Sequence, residues 1–150
     1  RLSDSVYGSD SVAAVGVAAH ECGHAIQHQR GYVPLRVRGA FVPVANFGSS
    51  IAWPLIIIGL MMRGQIIIEI GIICFSFAVI FQLITLPVEF NASGRAMRIL
   101  RETGILNSQE LPMTGRVLRA AAMTYVASAA SAVLQLLRLI ILYGGRRRNE

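Results

Sequence analysis

Hydrophobic and polar positions divide the chain into stretches of different length and period. After a polar, turn-like opening with Ser3, Asp4, Ser5, Gly8, Ser9 and Asp10, the segment to about Gln29 is rich in Ala, Val and Gly and carries little charge before His20. Such a surface suits a helix buried against other helices. Asp10 or Ser11 is its expected N-cap and Gly31 its stop, with Pro34 just beyond. A short connection over residues 32–39 carries Arg36 and Arg38. From Ala40 to Met62 no charge occurs, and the run exceeds the roughly 20 residues that a helix needs to cross a bilayer. Pro43, Asn46, Ser49, Ser50 and Pro54 interrupt it and predict a kinked or partly re-entrant first half.

Arg63-Gly64-Gln65 makes a tight turn, and a second apolar run follows from Ile66 to Val88, with Glu69 and Gln82 as polar intruders. Glu69 lies close enough to the turn to be an interfacial residue. Pro87 is expected to end the run, with a separate helix from Glu89 to Arg101 whose Arg95, Arg98 and Arg101 share one solvated or headgroup-facing side. Gly104 is its expected cap, and residues 105–115 form a polar connection. The third apolar stretch covers about 117–143, with Ala122, Ser128, Ser131 and Ala132 suited to close helix contact and Arg138 as an interruption. Arg146-Arg147-Arg148 is a basic tail. The pattern predicts an all-α integral membrane protein: one domain over residues 1–150, with a transmembrane hairpin at about 40–88 inserted between two helices.

Composition agrees: 54% of the residues are hydrophobic, 15% are charged, and mean hydropathy is +0.57. All 14 basic residues are arginine, giving a net charge of +6. They flank the apolar runs, which assigns them to membrane orientation and lipid headgroups and not to nucleic acid. Cys22 and Cys74 do not make a disulfide framework. Cys22 points about 200° away from His20 on a helix and is expected to pack. The chain opens on Arg1 without a signal-peptide pattern, and it is expected to be the C-terminal portion of a longer protein.

The chemistry concentrates in His20-Glu21-Cys22-Gly23-His24, a His-Glu-x-x-His pattern. Residues four apart on a helix share a face, so His20 and His24 can grip one metal ion, with Glu21 placed as general base. A catalytic zinc usually takes a third protein ligand. His28 lies about 12 Å along the axis from His20, too far for a shared ion. A metzincin would need histidine at position 30, which is Arg30. Asp4 and Asp10 are the only aspartates, which leaves Glu69, Glu89, Glu102, Glu110 and Glu150. A two-span hairpin returns the chain to the side it left, and Glu89 stands at the foot of that return. Topology therefore favours Glu89.

The segments VAAHECGHAIQHQRGY and QLITLPVEFNASGRAM resemble the YugP-type neutral zinc metallopeptidases, membrane-bound bacterial proteins, and the similarity extends over nearly the whole chain. The resemblance implies zinc-dependent hydrolysis of peptide bonds, with His20, His24 and Glu89 as zinc ligands and Glu21 as base. The order of elements is also similar to that of HtpX-like membrane proteases of the gluzincin type. Those carry Glu-x-x-Ala-Asp, whose Asp supports a metal-binding histidine; here Ser93 stands in its place. For a group that orients a metal ligand or stabilises an oxyanion, His28, Ser93, Arg119 and Tyr125 are the candidates.

The expected function is that of a membrane-bound zinc metalloendopeptidase with Zn2+ as cofactor, a protein or peptide substrate and the lipid bilayer as partners, and no nucleic acid. The alternative from another class is a non-catalytic membrane scaffold or assembly factor with structural zinc or none. A site-2-type intramembrane protease fits less well, because it takes a ligand from a later aspartate and none follows Asp10. Arg36, Arg38, Arg95, Arg98 and Arg101 on one side of the hairpin, against Arg63 at its turn, favour a cytoplasmic site by the positive-inside rule, and the resemblance implies a bacterial cell membrane. If the last apolar stretch spans, its triple-arginine tail lies outside, against that rule; the other reading packs this stretch on the catalytic helices near the surface.

Overall fold

A computed structural model describes residues 2–144. The helices are α1 (Asp4–Tyr7), α2 (Val12–Gln29), α3 (Val33–Met61), α4 (Gln65–Thr103) and α5 (Glu110–Tyr143), and no strand occurs among the described residues. The chain divides into two compact units. One joins the chain up to Arg36 with Thr85–Val126, the other joins Val37–Ile84 with the chain from Ala127 onward.

The first unit is built around α2. Ser11 caps it, its hydroxyl accepting from the Ala14 amide at 3.2 Å. At the other end Gly31 takes φ +60°. The Gly31 and Tyr32 amides donate to His28 O and Gln27 O, which is the Schellman arrangement that ends helices at glycine. The buried face of α2 holds Gly16, Ala19, Gly23 and Gln27. The glycines and alanine among them let neighbouring backbones come close. A Cβ at Gly23 would collide with the Ala92 carbonyl of α4, and one at Gly16 would lie 2.8 Å from the Thr114 methyl of α5. Ala19, Ala96, Leu100 and Leu118 form the core, with Val15, Met97, Leu106 and Leu111 against it.

The second unit contains an antiparallel pair, α3 against the first part of α4, reversed at Arg63 (φ 53°) and Gly64. Glycines again set the spacing: Cβ atoms at Gly48 and Gly71 would meet the Cys74 carbonyl at 2.7 Å and the Ala52 carbonyl at 3.0 Å. Ile56, Ile68, Ile72 and Leu139 make its core, while Phe47, Ile57, Ile73, Leu134 and Ile141 face outward. Outward apolar side chains on long helices suit contact with lipid. Helices α3, α4 and α5 are each long and apolar enough to cross a membrane. This is an all-α membrane protein.

Several boundaries differ from expectation, each for a physical reason. Asp4–Tyr7 is a short helix within the opening that looked turn-like. The connection at 32–39 shrinks, because α3 begins at Val33 with Pro34 in its first turn, where a missing N–H costs nothing. Pro43 and Pro54 sit inside α3, and Pro87 inside α4. The first half of α3 is therefore not re-entrant, and Pro87 does not end its helix. Each proline removes one hydrogen bond from a helix of 29 or 39 residues, a loss that packing on neighbouring helices outweighs. The connection at 105–115 is shorter too. Asn107 accepts from the Gln109 and Glu110 amides while the Glu110 carboxylate accepts from the Asn107 amide, a reciprocal cap that starts α5 early. Gly104, φ +63°, stops α4 as expected. The basic tail at Arg146–Arg148 lies outside the described residues, as does Glu150.

Candidate metal centre

The site lies within the first unit, between α2 and α4. His20 and His24 stand one turn apart on α2, their rings 4.7 Å between centroids and perpendicular. Glu89 faces them from the buried stripe of α4 that also carries Thr85, Val88, Ala92 and Ala96, and it is only 3% exposed. One oxygen, Oε2, lies 3.2 Å from His20 Nε2 and 3.6 Å from His24 Nε2. Burying a carboxylate is costly unless charge and hydrogen bonds compensate it, and both imidazoles are turned toward it.

The donor set fits zinc. Two imidazole nitrogens and one carboxylate oxygen come within 4.8 Å of one another. Ligand atoms at ordinary zinc distances and tetrahedral angles lie about 3.3 Å apart, close to the separations from Glu89 Oε2. The close approach of α2 to α4 at Gly23 and Ala92 makes this convergence possible.

The outer nitrogens of both histidines are also held. His20 Nδ1 lies 3.1 Å from Ser93 Oγ, so the serine standing where an aspartate was expected does contact that imidazole. His24 Nδ1 lies 2.9 Å from Gln27 Oε1. Gln27 is fully buried, and its Nε2 donates to Val88 O at 2.9 Å and Asn91 Oδ1 at 3.0 Å. Sequence reasoning missed Gln27 and Asn91. The available signal was spacing: Gln27 follows His24 by three residues on one helical face, and Asn91 precedes Arg95 by four. In the metal-free site His24 holds its proton to a higher pH than the usual 6.5. Contact with Glu89 is the main cause, opposed by burial and helped by Gln27 and by the charges of Glu89 and Glu21.

The other expected residues are placed differently. Glu21 is exposed, and its charge is felt at His24. His28 is exposed and outside the ligand cluster. Arg119 is exposed; its Nε donates to Gly115 O at 3.3 Å, and with Ser93, Phe90, Met97 and Leu118 it lines a recess of about 310 Å³. Tyr125 lies on an exposed stretch of α5. Glu69 is outside the ligand cluster and accepts from Gln65 near the turn. Cys22 is exposed, so it is not the packing residue its position suggested.

Comparison with known proteins gives the site its context. Residues 1–144 match the family described as "Putative neutral zinc metallopeptidase". The chain belongs to this neutral zinc metallopeptidase family. It is 48% identical over 151 aligned residues to a protein of Bacillus subtilis (strain 168) named "Putative membrane protease YugP", covering 99% of this chain and 67% of that protein. No solved structure matches. Membership of the neutral zinc metallopeptidase family agrees with a donor set suited to zinc and with helices suited to a membrane.

Proposed function

We propose that this chain carries the catalytic centre of a membrane-bound zinc endopeptidase, with His20, His24 and Glu89 holding the metal and Glu21 acting as general base. The observation that carries the proposal is the convergence of two histidines from α2 and one buried carboxylate from α4. Zinc held there would polarise the scissile carbonyl and lower the pKa of the attacking water. Glu21, exposed beside His20, takes a proton from that water and delivers it to the leaving amine. Ser93 and Gln27 keep the two imidazoles facing Glu89. Arg119, in the recess that Ser93 also lines, is a candidate for stabilising the oxyanion; His28 and Tyr125 are further candidates. The substrate is a protein or peptide reached from the bilayer surface, and the distribution of arginines supports a cytoplasmic site in a bacterial cell membrane.

Substitution of Glu21 by Gln tests the mechanism. Zinc content should stay near one ion per chain while cleavage of an unfolded protein falls by about 10²–10⁴-fold, the usual contribution of a positioned base. Full activity in Glu21→Gln would refute the role. Stoichiometric zinc with no proteolysis from the full-length wild-type protein would instead favour a membrane scaffold with structural zinc.

A further inference from the structure

The polar contacts around His24 form a chain whose direction chemistry dictates. Arg95 can only donate, and its Nε lies 2.8 Å from one terminal atom of the Asn91 amide, so that atom is the oxygen. The same oxygen lies 3.0 Å from a terminal atom of Gln27, which must then be the amide nitrogen. That nitrogen also lies 2.9 Å from Val88 O, a backbone carbonyl that can only accept. Gln27 therefore turns its carbonyl oxygen to His24, 2.9 Å from Nδ1. A carbonyl oxygen can only accept, so Nδ1 carries a hydrogen, and in the neutral imidazole Nε2 keeps its lone pair.

We infer that Arg95, Asn91 and Gln27 form a positioning relay that fixes His24 in the Nδ1–H tautomer and so presents Nε2 as a ready metal ligand. The inference rests on the proposed role of His24 as a ligand and deepens it. At its outer nitrogen His20 meets a different kind of partner. Its Nδ1 meets the Ser93 hydroxyl at 3.1 Å, and a hydroxyl can either donate or accept. The two histidines of the motif are thus unequal: a buried amide with both ends engaged places the hydrogen of His24 on Nδ1, whereas at His20 the acceptor-only partner is the Glu89 carboxylate, 3.2 Å from Nε2. Orientation of metal-binding histidines through the second ring nitrogen is a general device, and loss of the partner costs about 10–100-fold in metal affinity.

Nitrogen-15 NMR of histidine-labelled, metal-free protein, taken at an alkaline pH at which the imidazole signals have stopped titrating, reads the tautomer directly. His24 should be in the Nδ1–H form, and predominance of the Nε2–H form in the wild type would overturn the relay whatever the variants do. Gln27→Met removes the acceptor at nearly constant volume, and it should mix the tautomers and weaken zinc binding about 10–100-fold. Gln27→Glu retains an acceptor for Nδ1 but loses both donor bonds, to Val88 and Asn91. The relay expects Gln27→Glu to keep the Nδ1–H tautomer and to bind zinc more tightly than Gln27→Met. A purely structural Gln27 would make the glutamate variant the worse of the two, because its carboxylate faces two acceptors. That ranking, together with an unchanged tautomer in Gln27→Met, would also overturn the relay. The readouts do not involve proteolysis: the expected tautomers and affinities in a protein that cleaves nothing would sustain the relay and refute the peptidase.

Discussion

At the scale of single residues, protons and metal compete for the same nitrogen. His24 holds its proton above the usual 6.5 in the metal-free site, chiefly through Glu89, and zinc takes only the neutral imidazole. Zinc affinity should therefore fall as pH drops through the raised His24 pKa, with up to one proton released per ion bound at that position below it. Calorimetry in buffers of different ionisation enthalpy measures that proton; affinity independent of pH between 8 and 6 would contradict the assignment. The linkage to stability has the opposite sense. A raised folded pKa means that the stabilisation of metal-free protein by protonated His24 is fully present below the unfolded pKa and is lost as pH rises through the folded one. The pairing of His20 with His24 was legible because helical periodicity alone sets residues four apart on one face. Glu89 was legible through topology. Gln27 and Asn91 were harder to read: their spacing from His24 and Arg95 was visible, but spacing within one helix does not say which residue of another helix an amide will meet.

At the scale of helices, the site depends on how closely α2 lies on α4. Gly23→Ala would drive a methyl into the Ala92 carbonyl, and overpacking of this kind costs about 1–3 kcal/mol. The expected outcome is a lower unfolding temperature and at least a tenfold loss of zinc affinity, as His20 and His24 retreat from Glu89. Gly39→Ala is the control: nothing lies within 4 Å of the added methyl, and replacing a helical glycine should be neutral or stabilising by about 0.5–1 kcal/mol. Equal effects of the two substitutions on zinc affinity would refute close helix contact as the positioning device. Helix ends set by capping, at Ser11, Gly31 and Gly104, were readable from the sequence. Those around proline were not. Pro34 read as lying beyond a helix and Pro87 as ending one, while Pro43 and Pro54 read as kinks or a re-entrant half; Pro34 instead sits in the first turn of α3, and the other three lie inside helices whose packing exceeds the local cost of a lost hydrogen bond.

For the whole molecule, the arginine distribution supports a cytoplasmic site, and exposed Cys22 offers a native reporter beside Glu21. With Cys74 replaced by Ser, a membrane-impermeant maleimide should label Cys22 in inside-out vesicles and leave it unlabelled in intact spheroplasts. The opposite pattern would place the site outside. Introduced cysteines at Gly39 and Met62, near the two ends of α3, should label from opposite faces if α3 crosses. The apolar lengths that led to the three candidate spans were plain in the sequence, because a bilayer demands long uncharged runs. The division into two compact units was not, since α4 and α5 each contribute to both.

The central claim is that His20, His24 and Glu89 bind one zinc ion together. X-ray absorption at the zinc edge of the purified protein tests it most directly. We expect a four-coordinate nitrogen and oxygen shell at about 2.0–2.1 Å with imidazole scattering, and loss of one oxygen ligand with weakened binding in Glu89→Ala. A sulfur shell at about 2.3 Å, or a spectrum and affinity unchanged by Glu89→Ala, would contradict it.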